Sequence, residues 1–178
     1  MKMGDQLRYW VCLALSAVNL SLLFYALLFK AGNVIDTKTE RIGFYNFCLW
    51  SEPLQEHVCY DVDDLKGMSV VYPYVLMGGR VCVYATLPLC LFILLVFILV
   101  RSSDDERDMW QFAVCLLAIS VVALSIGLGT FLAVTCALRQ SVELNFTCLA
   151  LCGVWALLLL QLFLARSLKK PLQTNECV

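Results

Sequence analysis

Four long apolar stretches dominate the pattern of hydrophobic and polar positions along the chain. They cover residues 9–29, 81–100, 110–138 and 146–165, and none of them contains an acidic, basic or histidine residue. A helix of about 20 apolar residues crosses a bilayer core about 30 Å thick. Transmembrane barrel strands would instead alternate over segments of about ten residues. The pattern therefore predicts an all-α membrane protein, with one four-helix transmembrane domain over residues 1–178.

Composition supports a membrane protein and excludes two other classes. Hydrophobic residues make up 61% of the chain and charged residues 15%, with a net charge of −1. Ordinary soluble domains are roughly 45–50% apolar. A nucleic-acid-binding protein needs a basic surface to displace phosphate counterions, and a disordered chain needs low hydrophobicity. Neither condition is met here.

The density of lysine and arginine predicts the orientation. The segments 1–8, 101–109 and 166–178 contain seven basic residues in 30 positions, whereas 30–80 and 139–145 contain six in 58. Cytoplasmic segments of membrane proteins are enriched in basic residues. We therefore expect both termini in the cytoplasm and the 30–80 loop outside. The tails contain no retention signal such as Lys-Asp-Glu-Leu, so the plasma membrane is the default location.

The 30–80 loop is the one soluble stretch long enough to fold. Aromatic and β-forming residues predict strands at 41–50 and 58–62, joined by a polar turn that contains Pro53. Cys48 and Cys59 are the loop's two cysteines, and we expect a disulfide between them because such bonds persist in oxidising compartments. The alternative is two free thiols on a cytosolic loop.

Residues 43–48, followed after ten residues by Cys59, resemble the Gly-Leu-Trp-x-x-Cys…Cys signature of the claudin and peripheral-myelin-protein superfamily. Tyr45 stands where that signature has tryptophan. Arg80 lies before the predicted second helix, where claudins commonly place an arginine. The resemblance implies a claudin-like four-helix bundle, with a small extracellular β-sheet between its first two helices and Gly43 and Arg80 as signature positions.

Several further segments are similar to the transmembrane protein 140 family of four-span proteins. They are residues 24–28, 31–33, 41–50, 105–107, 127–129 and 131–132. The segments occur in order over most of the chain. This resemblance implies the same four-helix architecture and brings no enzymatic activity with it.

Candidate chemical sites are sparse. His57 is the single histidine, and it lacks the partners of a catalytic triad or metal site, so we interpret it as a solvated loop residue. The acidic residues at 61–64 lack the spacing and glycine of an EF-hand. Cys148 and Cys152 lie one turn apart, but structural zinc needs four ligands, so packing is the simpler interpretation. We expect no catalytic residue, cofactor or metal site.

Asn19 and Gln161 are polar residues inside predicted spans. Such residues usually hydrogen-bond across helices, which we expect here, and a substrate pathway is the alternative. The third helix also carries two small-x-x-x-small pairs, Ala123 with Gly127 and Gly129 with Ala133. These pairs permit close helix packing, either inside the bundle or in a dimer.

Three features between Asn145 and Val178 are candidates for partner binding or covalent modification. Glu176, Cys177 and Val178 suit a PDZ groove, which binds a terminal strand, and an ordinary disordered tail is the alternative. Cys177 is also a candidate for reversible palmitoylation. The glycosylation sequon at Asn145 adjoins the fourth helix, so we expect it to be unmodified.

Together these features predict a non-enzymatic membrane organiser or adhesion protein that acts through its first extracellular loop. The proposed contact surface consists of Phe44, Tyr45, Phe47, Leu49 and Trp50. Expected partners are the lipid bilayer and a membrane protein or a second copy of the chain. Nucleic acid and a small-molecule substrate are not expected. The alternative is an auxiliary subunit that modulates a channel or receptor in the same membrane.

Overall fold

Four antiparallel helices and one small sheet form the structure, a computed structural model. It describes residues 3–29, 33–36, 40–43, 47–60, 73–100, 106–138 and 146–167. The helices are α1 (Met3–Phe24, continued by the π-helical turn Tyr25–Phe29), α2 (Pro73–Val100), α3 (Glu106–Leu138) and α4 (Phe146–Ser167). In the described residues, all four are long and apolar enough to cross a membrane. The four predicted spans are confirmed.

Helices α2 and α3 begin earlier than predicted. Helix α2 starts at Pro73 and α3 at Glu106, whereas the apolar stretches begin at residues 81 and 110. The predicted 30–80 loop is therefore too long, because its last eight residues are helical. Hydropathy marks where a helix leaves apolar surroundings, not where its hydrogen bonds begin. Proline is favoured at the first helical position because its missing N–H has no partner there in any case.

The helices form a closed ring in which each packs against the next and α4 packs against α1. Its interior is apolar, and Leu23, Phe97, Leu124, Phe131 and Leu158 are almost fully buried. Lipid tails are as apolar as these side chains, so burial alone does not drive helices together in a membrane. Close packing and hydrogen bonds between helices must do so.

Helices α2 and α3 approach each other closely at Gly79 and Gly127. A Cβ atom added to Gly127 would lie 2.8 Å from the carbonyl oxygen of Gly79 and 3.1 Å from the amide nitrogen of Val83. Gly129, two residues further, has no atom within 4 Å of such a Cβ. Gly127 therefore packs inside the bundle, whereas Gly129 lies on its exposed surface.

The sheet lies between α1 and α2 in the chain. Its strands are β1 (Asn33–Asp36), β2 (Glu40–Gly43), β3 (Phe47–Ser51) and β4 (Glu56–Tyr60), antiparallel in the order β1-β2-β3-β4. A turn at 52–55 joins β3 to β4, and Gln55 adopts a positive φ of 50° within it. Strand β1 also contacts α4, which attaches the sheet to the bundle.

The single strand predicted over 41–50 is wrong. Its first and last parts belong to β2 and β3, which pair with each other so that Arg41 lies opposite Cys48. Residues in both halves have high β-propensity, and no glycine–proline turn signal marks the reversal between them. The strand predicted at 58–62 is β4, which begins two residues earlier. Strand β1 was missed, because its four residues include just two strong β-formers, Val34 and Ile35.

Candidate functional site

A disulfide joins the last two strands of the sheet. Cys48 in β3 and Cys59 in β4 are directly opposite in register, with their Cα atoms 3.9 Å apart, and their sulfur atoms are bonded. Cys48 is buried and Cys59 exposed. The predicted disulfide is confirmed. It fixes β4 to β3 covalently, whereas a two-stranded hairpin alone is marginally stable in water.

Trp50 and His57 form the neighbouring pair on the same face of these strands. They are opposite in register, and their rings meet edge to face with centroids 5.1 Å apart. His57 is half-buried, and its Nδ1 atom is buried without a hydrogen-bond partner. The interpretation of His57 as a solvated loop residue was therefore wrong, because the register brings it against Trp50. The indole itself remains 40% exposed.

The other predicted site residues divide between described and undescribed parts of the chain. Phe47 and Leu49 alternate with Cys48 and Trp50 along β3, and Gly43 ends β2 opposite Asn33. Arg80 lies inside α2 and not before it, because that helix begins at Pro73. Outside the described residues lie Phe44, Tyr45, Asp61, Asp63, Asp64, Asn145, Glu176, Cys177 and Val178.

A buried polar cluster joins α1 to α4 inside the membrane. The Asn19 side-chain amide donates a hydrogen bond of 3.2 Å to Gln161 Oε1. Gln161 Nε2 in turn donates to Ser16 Oγ at 2.6 Å and to the Cys12 carbonyl oxygen at 3.0 Å. The predicted hydrogen bonding across helices is confirmed. Asn19 Oδ1 is buried without a hydrogen-bond partner, so the cluster is not fully satisfied.

Aromatic side chains connect all four helices at the end of the bundle where α1 begins and α4 ends, here called the terminal end. Tyr9 donates its hydroxyl proton to the Phe97 carbonyl oxygen at 2.7 Å, and the Phe97 and Trp110 rings meet edge to face. Trp110 Nε1 donates to the Ala165 carbonyl oxygen at 3.2 Å. Sequence reasoning missed this aromatic layer. The sequence signal that could have revealed this layer is the presence of tyrosine and tryptophan at the ends of the predicted spans, where membrane proteins concentrate these residues.

The described part of the chain contains no group of three or more histidine, cysteine or carboxylate side chains arranged to hold a metal ion. Cys148 is buried and Cys152 exposed, one turn apart on α4. The main features that the structure brings together are thus the disulfide-linked sheet and the polar and aromatic contacts between helices.

The model of the TM140 protein family matches residues 1–177. The chain belongs to the TM140 protein family. The resemblance to transmembrane protein 140 is thereby confirmed, whereas the claudin-like placement remains a prediction. No solved structure matches this TM140-family chain.

The α1–α4 cluster of this TM140-family protein gives a first stability prediction. Gln161→Leu removes three hydrogen bonds and leaves Asn19 without its partner in an apolar interior, so we expect a loss of about 1–2 kcal/mol. The measurement is the free energy of unfolding in mixed detergent micelles. Asn19→Leu in the same background should cost little more, because its partner is already gone. Strictly additive losses would show that the two side chains are not coupled.

Proposed function

We propose that this protein is a non-enzymatic membrane organiser that binds partners through its disulfide-linked sheet. The observation that carries the proposal is the exposed Trp50, held on a strand that a disulfide fixes in place. Tryptophan is enriched among the residues that dominate binding energy at interfaces. A rigid strand lowers the entropy lost when such a side chain is immobilised by a partner. Phe44 and Tyr45, between β2 and β3 in the sequence, extend the proposed surface.

The proposed orientation places the sheet outside the cell and both termini in the cytoplasm, at the plasma membrane. Two independent observations support it. The Cys48–Cys59 disulfide belongs in an oxidising compartment. The segments on the sheet's side of the membrane, 30–80 and 139–145, are also poorer in basic residues per position than those on the other side, as the positive-inside rule predicts for the outer side.

The proposed partner is a second copy of the chain on an adjacent cell. The test mixes cells that express the full chain, tagged at its C-terminal end, with cells that do not. We expect the tag to concentrate where two expressing cells touch. A tag signal that is uniform along all cell borders, or that is confined inside the cell, would overturn homotypic adhesion. A separate experiment tests the orientation. An antibody epitope is inserted in the 52–55 turn, and its accessibility to the antibody is measured on unpermeabilised cells.

Trp50→Ala should reduce enrichment at those borders at least tenfold, because a central aromatic anchor contributes about 2 kcal/mol or more. The amount of protein at the cell surface should not change, since the indole is partly exposed and the disulfide is retained. Leu54→Ala is the matched control: it removes an exposed apolar side chain from the turn of the same hairpin. Equal enrichment of both variants at matched surface levels would refute a role for Trp50.

A second candidate function is an auxiliary subunit for a channel or receptor in the same membrane. The observation that favours it is an outward-facing polar pair, in which Trp155 Nε1 donates to Ser125 Oγ at 2.8 Å on the exposed surface of α3 and α4. Gly129 lies one turn from Ser125 and leaves open space for a partner helix. Recovery of a stoichiometric partner other than itself after mild-detergent purification would favour this function over adhesion.

A further inference from the structure

Charge is distributed unevenly around the terminal end of the bundle. The chain around the start of α1 and the end of α4, residues 1–8 and 166–170, carries five basic residues and one acidic residue. The segment between α2 and α3, 101–108, carries two basic and four acidic residues. Because α1 packs against α4 and α2 against α3, Arg8 and Arg166 lie on one side of the ring and Asp108 on the other, among the charged side chains that the structure describes at this end. The α1–α4 side is therefore the electropositive one.

Arg8 and Arg166 lie within about one helical turn of the same depth on that side. Gln161 of α4 contacts Cys12 and Ser16 of the antiparallel α1, which fixes the register of the two helices. With a rise of about 1.5 Å per residue, Arg8 lies about 6 Å beyond Cys12 and about 12 Å beyond Ser16, and Arg166 lies about 7.5 Å beyond Gln161. Both arginines are exposed at this end.

The aromatic layer places these arginines at the boundary between hydrocarbon and lipid headgroups. Arg8 directly precedes Tyr9, and Arg166 directly follows Ala165, two residues whose hydrogen bonds belong to that layer. Tyrosine and tryptophan concentrate at this depth of a bilayer. The neighbouring Trp10 and Phe163 are exposed toward the membrane, where acyl chains lie. Two guanidinium groups at headgroup depth thus adjoin an apolar surface.

We propose that the α1–α4 side of the terminal end binds the headgroup of an anionic phospholipid through Arg8 and Arg166. Guanidinium groups bind phosphate with paired, charge-assisted hydrogen bonds. Basic residues next to a span are attracted to anionic lipids of the cytoplasmic leaflet, the leaflet that this end faces in the proposed orientation. Binding in detergent depends on neither the orientation nor the adhesion proposal, so the three can fail separately.

The experiment is a titration of the purified full chain in detergent with phosphatidylserine or phosphatidylcholine, with bound lipids counted by native mass spectrometry. We expect phosphatidylserine to bind more tightly, with an affinity that falls as salt is added. R8Q and R166Q should each weaken phosphatidylserine binding on the order of fivefold. Equal binding of the two lipids by the wild-type protein would overturn the proposal without any variant.

The double variant R101Q/R107Q is the matched control, because it removes the same charge from the part of the sequence that connects α2 to α3. It should bind phosphatidylserine like the wild-type protein, whereas R8Q/R166Q should not. An equal loss in both double variants would mean that only overall charge matters, and would refute a localised site. R8K/R166K keeps the charge but loses the paired guanidinium hydrogen bonds, so it should bind phosphatidylserine more tightly than R8Q/R166Q and less tightly than the wild-type protein. A photoactivatable phosphatidylserine should crosslink to the ends of α1 and α4, and crosslinking confined to α2 and α3 would contradict the site.

Discussion

Gly127→Leu is expected to destabilise the helix bundle by about 3 kcal/mol or more, the largest effect of any single change considered. A Cβ at this position would meet the backbone oxygen of Gly79 and the backbone nitrogen of Val83. Backbone atoms cannot rotate away as side chains do, so α2 and α3 must separate to accept it. Overpacking of a well-packed interior typically costs about 1–3 kcal/mol, and a displaced helix costs more.

Gly129→Leu is the control for this substitution. It makes the same chemical change two residues away, where an added Cβ meets nothing within 4 Å. We expect it to be neutral or slightly stabilising, since leucine has a higher helix propensity than glycine by up to about 1 kcal/mol. Unfolding by SDS in mixed micelles, followed by circular dichroism, measures both variants. Wild-type stability of Gly127→Leu would show that the close α2–α3 approach is wrong.

Cys59→Ser is expected to weaken the sheet by about 2–3 kcal/mol while leaving the four helices intact. The lost disulfide joins residues 11 apart in sequence. Closing a loop of that length lowers the chain entropy of the unfolded state, which accounts for a stabilisation of about 2–3 kcal/mol. Amide hydrogen exchange across β3 and β4 should therefore accelerate roughly 30- to 150-fold. Exchange in α2 and α3 should not change, because the lost disulfide lies within the sheet and neither of its cysteines belongs to these helices.

The exposed thiol of Cys115 in α3 supplies the control for the disulfide prediction. Cys115→Ser removes a cysteine that forms no disulfide, so exchange in the sheet should remain at the wild-type rate. Reduction of the wild-type protein should reproduce the effect of Cys59→Ser. Unchanged exchange after reduction would mean that strand pairing alone holds the hairpin.

The candidate site was predictable in part from the sequence. Cys48 and Cys59 were recognisable as a pair because they are the two cysteines of one loop between two spans. The contact of Trp50 with His57 was not, since it depends on the register between β3 and β4 and hence on where the turn lies. One long strand over 41–50 would have given these residues different neighbours. The polar turn was predicted over 51–57 and so included His57, whereas the observed turn is 52–55 and β4 begins at Glu56.

The amino-acid sequence was enough to predict the number of spans and their approximate positions. These properties depend on how each residue partitions between water and hydrocarbon, which is additive along a span. The tertiary structure alone decided that Gly127 and not Gly129 lies in a helix interface, and that Gln161 bonds to Ser16 and Cys12 as well as to Asn19. Those contacts depend on the rotation and register of one helix against another. In a solvent as apolar as the helices themselves, hydropathy does not specify which faces meet; interlocking shape and paired polar groups do.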